Sequence, residues 1–190
     1  MFQPEVKWKF VERYCNPKEG WEVFVDLDAS ELGKTGGSRT TEAARVRQSE
    51  MQVRGEIAEA GLQKLKVQVG GSRKAWTRSL QNKYPGMVVP DVPGDRDIIA
   101  INPGRKKLLL AEAEGDSAGQ PEQKLYKAIG QIVIAIGEVI ANGYKVEYVL
   151  VLSGEKMKAH VARAKALKRL GVSALYIGDV KDDDEWVFGK

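Results

Sequence analysis

The chain has little of two residues that define many functional sites: one cysteine, Cys15, and one histidine, His160, among 190 residues. A single thiol cannot close a disulfide within the chain, which suits a reducing compartment, and a cytoplasmic location is expected. Cys15 has no visible histidine partner to activate it as a nucleophile. One imidazole excludes a zinc site assembled from several Cys and His of the same chain. No apolar run approaches the roughly 18 residues of a membrane span, so no membrane is expected among its partners. The opening Met1-Phe2-Gln3-Pro4-Glu5 lacks the basic end and apolar stretch of a secretory signal. Gly33-Lys34-Thr35-Gly36-Gly37-Ser38 has the residue types of a phosphate loop without its spacing. No helix-turn-helix or zinc finger pattern is present.

What is there is ordinary globular composition, 43% apolar and 29% charged. The length suits one domain with a substantial core. We read residues 1–190 as a single domain: an N-terminal extension over 1–41, a core over 42–178 and an acidic C-terminal segment over 179–190. Net charge is only +4, but it is uneven. Lys34 to Lys83 holds eleven Lys/Arg against four Glu, and Lys156 to Arg169 holds six Lys/Arg and no acid. Basic stretches of this kind are what phosphate binding needs, the competing reading being solvated helix faces. Carboxylates are the plentiful metal ligands, so any metal is expected to be a hard ion, Mg2+ or Mn2+.

Periodicity gives the elements. Trp21 to Leu27 alternates like a strand. Thr40 or Thr41 caps a long helix to about Lys66, with an apolar stripe of Ala44, Val46, Met51, Val53, Ile57, Ala60 and Leu62. A short helix covers 75–83. Asp97 to Ile101 and Lys107 to Glu114 read as two strands joined by the turn Asn102-Pro103-Gly104-Arg105. A core helix runs from about Gln123 to Ala141. Strands follow at 146–152 and 174–178, with a basic helix over 155–170 between them. The order predicts a mixed α/β sheet with helices on its faces.

The hairpin carries the chemistry. Glu112 and Glu114 are two residues apart on a strand and so point the same way. With the turn centred on Pro103-Gly104, Ile101 faces Lys106, Asp97 faces Leu110 and Asp95 faces Glu112. Asp97 then shares a face with Glu112, one diagonal step away. Carboxylates gathered at one end of an apolar hairpin repel one another and raise each other's pKa. A divalent cation relieves that, and it also activates water and stabilises charge on a phosphodiester.

Gly94-Asp95-Arg96-Asp97-Ile98-Ile99-Ala100-Ile101, a short turn, and Leu108-Leu109-Leu110-Ala111-Glu112-Ala113-Glu114-Gly115 resemble the core of the PD-(D/E)XK nucleases. In that pattern an Asp opens one strand and a Glu-x-Lys triplet ends the next. Asp97 matches the first acid and Glu112 the second; Glu114 stands where the family usually has Lys. The resemblance covers about residues 42–178. It implies a restriction endonuclease-like fold and Mg2+-dependent cleavage of DNA, with Asp97, Glu112 and Glu114 as catalytic residues. It also implies Glu56, from the first helix, as an outer metal ligand beside Asp97 and Glu112, and Gln123 or Gln131 as a glutamine of the following helix.

Arg73, Lys74, Arg78, Lys156, Lys158 and Arg163 are the expected backbone-phosphate contacts, with Trp76 stacking on a base or anchoring its loop. Cleavage of both strands of a duplex leads us to expect a homodimer. The alternative is a nuclease-fold protein without activity that binds nucleic acid or a protein partner, for which the missing Lys leaves room. A third reading is an unrelated α/β enzyme acting on a small molecule.

Overall fold

The computed structural model describes residues 1–27, 29, 31–32, 41–89, 97–115 and 121–189, except the side chains of Arg73 and Pro121. In chain order the elements are α1 (Gln3–Tyr14), β1 (Glu22–Val25), α2 (Glu42–Lys64), β2 (Gln68–Val69), α3 (Arg73–Lys83), β3 (Met87–Val88), β4 (Ile98–Asn102) and β5 (Lys107–Glu114). Then come α4 (Pro121–Glu138), β6 (Ile140–Ala141), β7 (Lys145–Leu152), α5 (Glu155–Val161), α6 (Ala166–Arg169), β8 (Val172–Tyr176) and β9 (Glu185–Phe188). Seven strands form one mixed sheet in the order β2-β1-β4-β5-β7-β8-β9, and β3 and β6 form a small ribbon. The mixed α/β expectation holds. No described helix is long and apolar enough to cross a membrane.

Alternation along the strands supplies two apolar faces. Val23, Val25, Ile98, Ala100, Ala111 and Ala113 face α1 and α2. Phe24, Ile99, Leu108 and Leu110 face α3, and Leu150 and Leu152 face α4, α5 and α6.

Several expectations change. Residues 1–27 are not an appendage to the core: α1 buries Val6, Phe10 and Val11 against the sheet, and β1 is one of its inner strands. The C-terminal acidic segment also belongs to the fold. β9 pairs with β8, and Asp184 accepts hydrogen bonds from Arg13 at 2.6 Å, Tyr14 at 2.9 Å and the Gly178 amide at 3.0 Å. The glycine-rich stretch 33–38 lies outside the described residues.

The cap of α2 is as expected, Thr41 Oγ1 accepting from the Ala44 amide at 3.3 Å. Its apolar stripe is not. Val46, Val53 and Ile57 face outward, and Gly55, Ala58 and Leu62 face inward. The helix turns its smallest residues to its neighbours because it packs closely: a side chain on Gly61 would collide with the Trp8 indole. The basic segment 155–170 divides into α5 and α6. Between them Arg163, Ala164 and Leu167 donate to carbonyls three residues back rather than four, a tightened turn.

The β4–β5 register differs by two residues from the expected one. Asn102 Oδ1 accepts from the Arg105 amide at 2.9 Å, and Lys106 takes a left-handed conformation, φ 48°. Residues 103–106 therefore form the loop, Asn102 pairs with Lys107, and Ile98 pairs with Ala111. A slip of two keeps every side chain on its face.

Candidate functional site

Strands β1, β2, β5, β7 and β8 run one way and β4 runs the other. The ends of the first five and the start of β4 therefore gather at one end of the sheet. Asp97 sits immediately before β4. One further step of the ladder places it across from Glu112, not Leu110. Glu112 and Glu114 project from the face of Leu108 and Leu110 and are buried, 3% and 7% exposed. The three expected carboxylates thus stand at the same end of the hairpin. Asp95 lies outside the described residues.

Asp97 is committed within the protein. Its Oδ2 accepts from the Ala113 amide at 2.8 Å and from Gln3 Nε2 at 3.4 Å, and its Oδ1 pairs with Lys7 Nζ at 2.8 Å. Lys7 comes from α1 and is 1% exposed. Its ammonium also donates to the Asp26 carbonyl at 2.7 Å and to the Glu31 carboxylate at 2.7 Å and 2.8 Å. Burial works against that charge, but Asp97 and Glu31 outweigh it and hold the lysine above its usual range.

Glu114 is the opposite case. Its Oε2 is buried with no hydrogen-bond partner, and Lys124 Nζ stands 4.0 Å away. Burial pushes its carboxyl up to about 7; Asp97 adds to the rise, while Lys124, Lys7 and Lys127 oppose it. Among the described residues no group of three His, Cys, Asp or Glu is arranged to hold a metal ion. The fit to a divalent cation is partial. Glu114 offers an orphan oxygen beside Glu112, and Asp97 joins them only by parting from Lys7.

The other expected residues scatter. Glu56 is exposed on α2 and accepts from Gln52 Nε2 at 3.2 Å. It belongs to the α1–α2 layer, across the sheet from Glu112. The first helix is α1, and it brings Gln3 and Lys7, not a glutamate, to Asp97. Gln123 is exposed in the first turn of α4, and Gln131 is half-buried about two turns further on. Lys74 and Arg78 are exposed on α3. The side chain of Arg73 lies outside the described set.

Trp76 is buried with its ring 5.4 Å from that of Phe24, so it anchors the core and is not placed to stack on a base. Lys156 is exposed at the start of α5. Lys158 pairs with Glu185 at 2.5 Å and lies over the Tyr176 ring, and Arg163 is exposed beyond the end of α5.

Sequence reasoning missed Lys7, Arg47 and Arg54. The two arginines lie over the Phe2 ring at 5.4 Å and 5.8 Å, beside the start of α1. A side chain on Gly115, one residue past Glu114, would collide with the Phe2–Gln3 backbone, so they border the acidic end. The available signal for Lys7 was its place in the apolar row of α1, next to Val6 and one turn before Phe10 and Val11.

No family model, no curated protein and no solved structure matches this chain.

Proposed function

We propose that the chain is a divalent-metal-dependent nuclease acting on DNA, with Asp97, Glu112 and Glu114 as its acidic site. The observation that carries this reading is the buried, unpartnered oxygen of Glu114 beside buried Glu112 and across the hairpin from Asp97. A buried carboxylate without donors is costly, and folds retain such groups where a ligand completes them. Glu112 and Glu114 would hold Mg2+ or Mn2+, with Asp97 completing the set. Such an ion lowers the pKa of bound water and stabilises charge on a phosphodiester.

The chain's own residues supply the rest. The basic side chains around the same end position the backbone: Lys74 at the start of α3, Lys124 on α4, Lys156 on α5 and Arg47 on α2. Lys7 stands at Asp97, where it supplies a positive charge that the Glu-x-Glu triplet lacks.

A second reading has its own observation. Lys7 already neutralises Asp97, as a counter-ion in a fold that binds nucleic acid without cutting it would do. Cleavage of supercoiled plasmid and single-stranded DNA, with Mg2+, Mn2+ or chelator, separates the two. Metal-dependent cleavage lost in Glu112→Gln is expected. Salt-sensitive binding without cleavage selects the second reading, and neither cleavage nor binding overturns both.

A further inference from the structure

Lys7 holds an oxygen that the proposed acidic site needs. The lysine is 1% exposed, and its three protons have three acceptors: the Asp26 carbonyl at 2.7 Å, the Glu31 carboxylate at 2.7 Å and Asp97 Oδ1 at 2.8 Å. Asp97 is tied from its other side. Its Oδ2 accepts from the Ala113 amide, and Ala113 lies between Glu112 and Glu114 on β5. The carboxylate is therefore fixed level with the two glutamates, and its Oδ1 is the oxygen that the ammonium engages.

Two consequences follow from electrostatics. Oδ1 takes one strong cationic partner at a time, because a divalent ion and a buried ammonium on the same oxygen repel each other at low effective dielectric. Lys7, in turn, can let go of Asp97 without being stranded. A buried charge that loses its last counter-ion is strongly destabilising, but Lys7 keeps one. Glu31 accepts from it on both oxygens, and the Asp26 carbonyl takes a further proton. The Asp26 amide also donates to the Asp97 carbonyl at 2.8 Å, so the backbone that cradles Lys7 is bonded to that of Asp97 itself.

We infer that, granted the cation site proposed above, Lys7 is its internal competitor. The ammonium closes Asp97 in this structure. When a divalent cation binds, Asp97 Oδ1 passes from Lys7 to the ion, and Glu31 and the Asp26 carbonyl retain the lysine. In that exchange Glu31 is a positioning residue: it draws Lys7 away from Asp97 and so favours the cation.

The native chain allows the first test. A buried ammonium with three acceptors exchanges its protons slowly, so Lys7 should give its own Nζ signal in proton–nitrogen correlation spectra, assigned through its side-chain carbons. Titration with Mg2+ alone should move that signal to saturation without abolishing it. The second test is affinity for Mn2+, read from the free ion by electron paramagnetic resonance. Lys7→Met should bind Mn2+ about tenfold or more tightly than the native chain, and Glu31→Gln about fivefold more weakly. Both substitutions disturb the same buried cluster, so a merely structural role would weaken binding in both.

A Lys7 signal that stays in place while Mg2+ saturates the chain overturns the inference. So does an affinity that moves the same way in both variants, or a native chain that binds neither ion at millimolar concentration. Cleavage is a separate readout. A chain that shows the shift and cuts no DNA overturns the nuclease reading alone, and metal-dependent cutting with an unmoved Lys7 signal overturns the competition alone.

Discussion

Two buried ionisable side chains set the character of the acidic end, and they are treated in opposite ways. Lys7 has three acceptors for its three protons, whereas Glu114 keeps one oxygen without a donor. The second arrangement has a consequence for stability. With its carboxyl held at about 7 by burial, against an ordinary value of 4.5, Glu114 binds a proton more tightly in the folded chain than in the unfolded one. Its contribution therefore falls as pH rises from about 4.5 to about 7, by on the order of 3 kcal/mol, and the full cost is present above that range. Urea unfolding in chelating buffer between pH 5 and pH 8 should show this slope in the native chain and not in Glu114→Gln; an unchanged slope in the variant assigns it elsewhere. Glu112 and Glu114 were legible in the sequence because a two-residue spacing on a strand is a local statement. Lys7 was not, because its partners Asp26, Glu31 and Asp97 are brought to it only by the fold.

The hairpin was readable as an element and its register was not. Asn102 looked like part of a short turn, and only its side-chain bond to the Arg105 amide shows that the loop holds four residues. The even slip left the faces intact, which is why Glu112 and Glu114 still project from the expected face. α2 taught the reverse lesson. Counting apolar residues selected the wrong face, because close packing, against Leu32 at Gly55 and against Trp8 of α1 at Gly61, rewards small residues over larger side chains. Leu62→Ala is accordingly expected to cost about 2–5 kcal/mol, and Ile57→Ala to stay within about 0.5 kcal/mol, by urea denaturation. Equal costs would return Ile57 to the core. Residues 1–41 were read as an extension for a related reason: Lys7, Trp8 and Lys9 interrupt the apolar row of α1, and its amphipathic character emerges only once Lys7 is seen to be buried.

Over the whole molecule the charges separate by position along the sheet. Lys74, Lys124 and Lys156 border the acidic end, whereas Lys168 and Arg169, in α6 just before β8 begins, lie at the opposite end. DNA affinity measured against salt should reflect this. Lys74→Ala and Lys124→Ala are each expected to reduce the slope of log K against log salt by about one, while Lys168→Ala leaves it unchanged. An equal effect at both ends would place the nucleic acid elsewhere. The direction of α4 carries one more consequence. The helix starts beside Glu114 and runs away from it, so the partial positive charge of its first turn works with Lys124 against the burial that raises the Glu114 carboxyl.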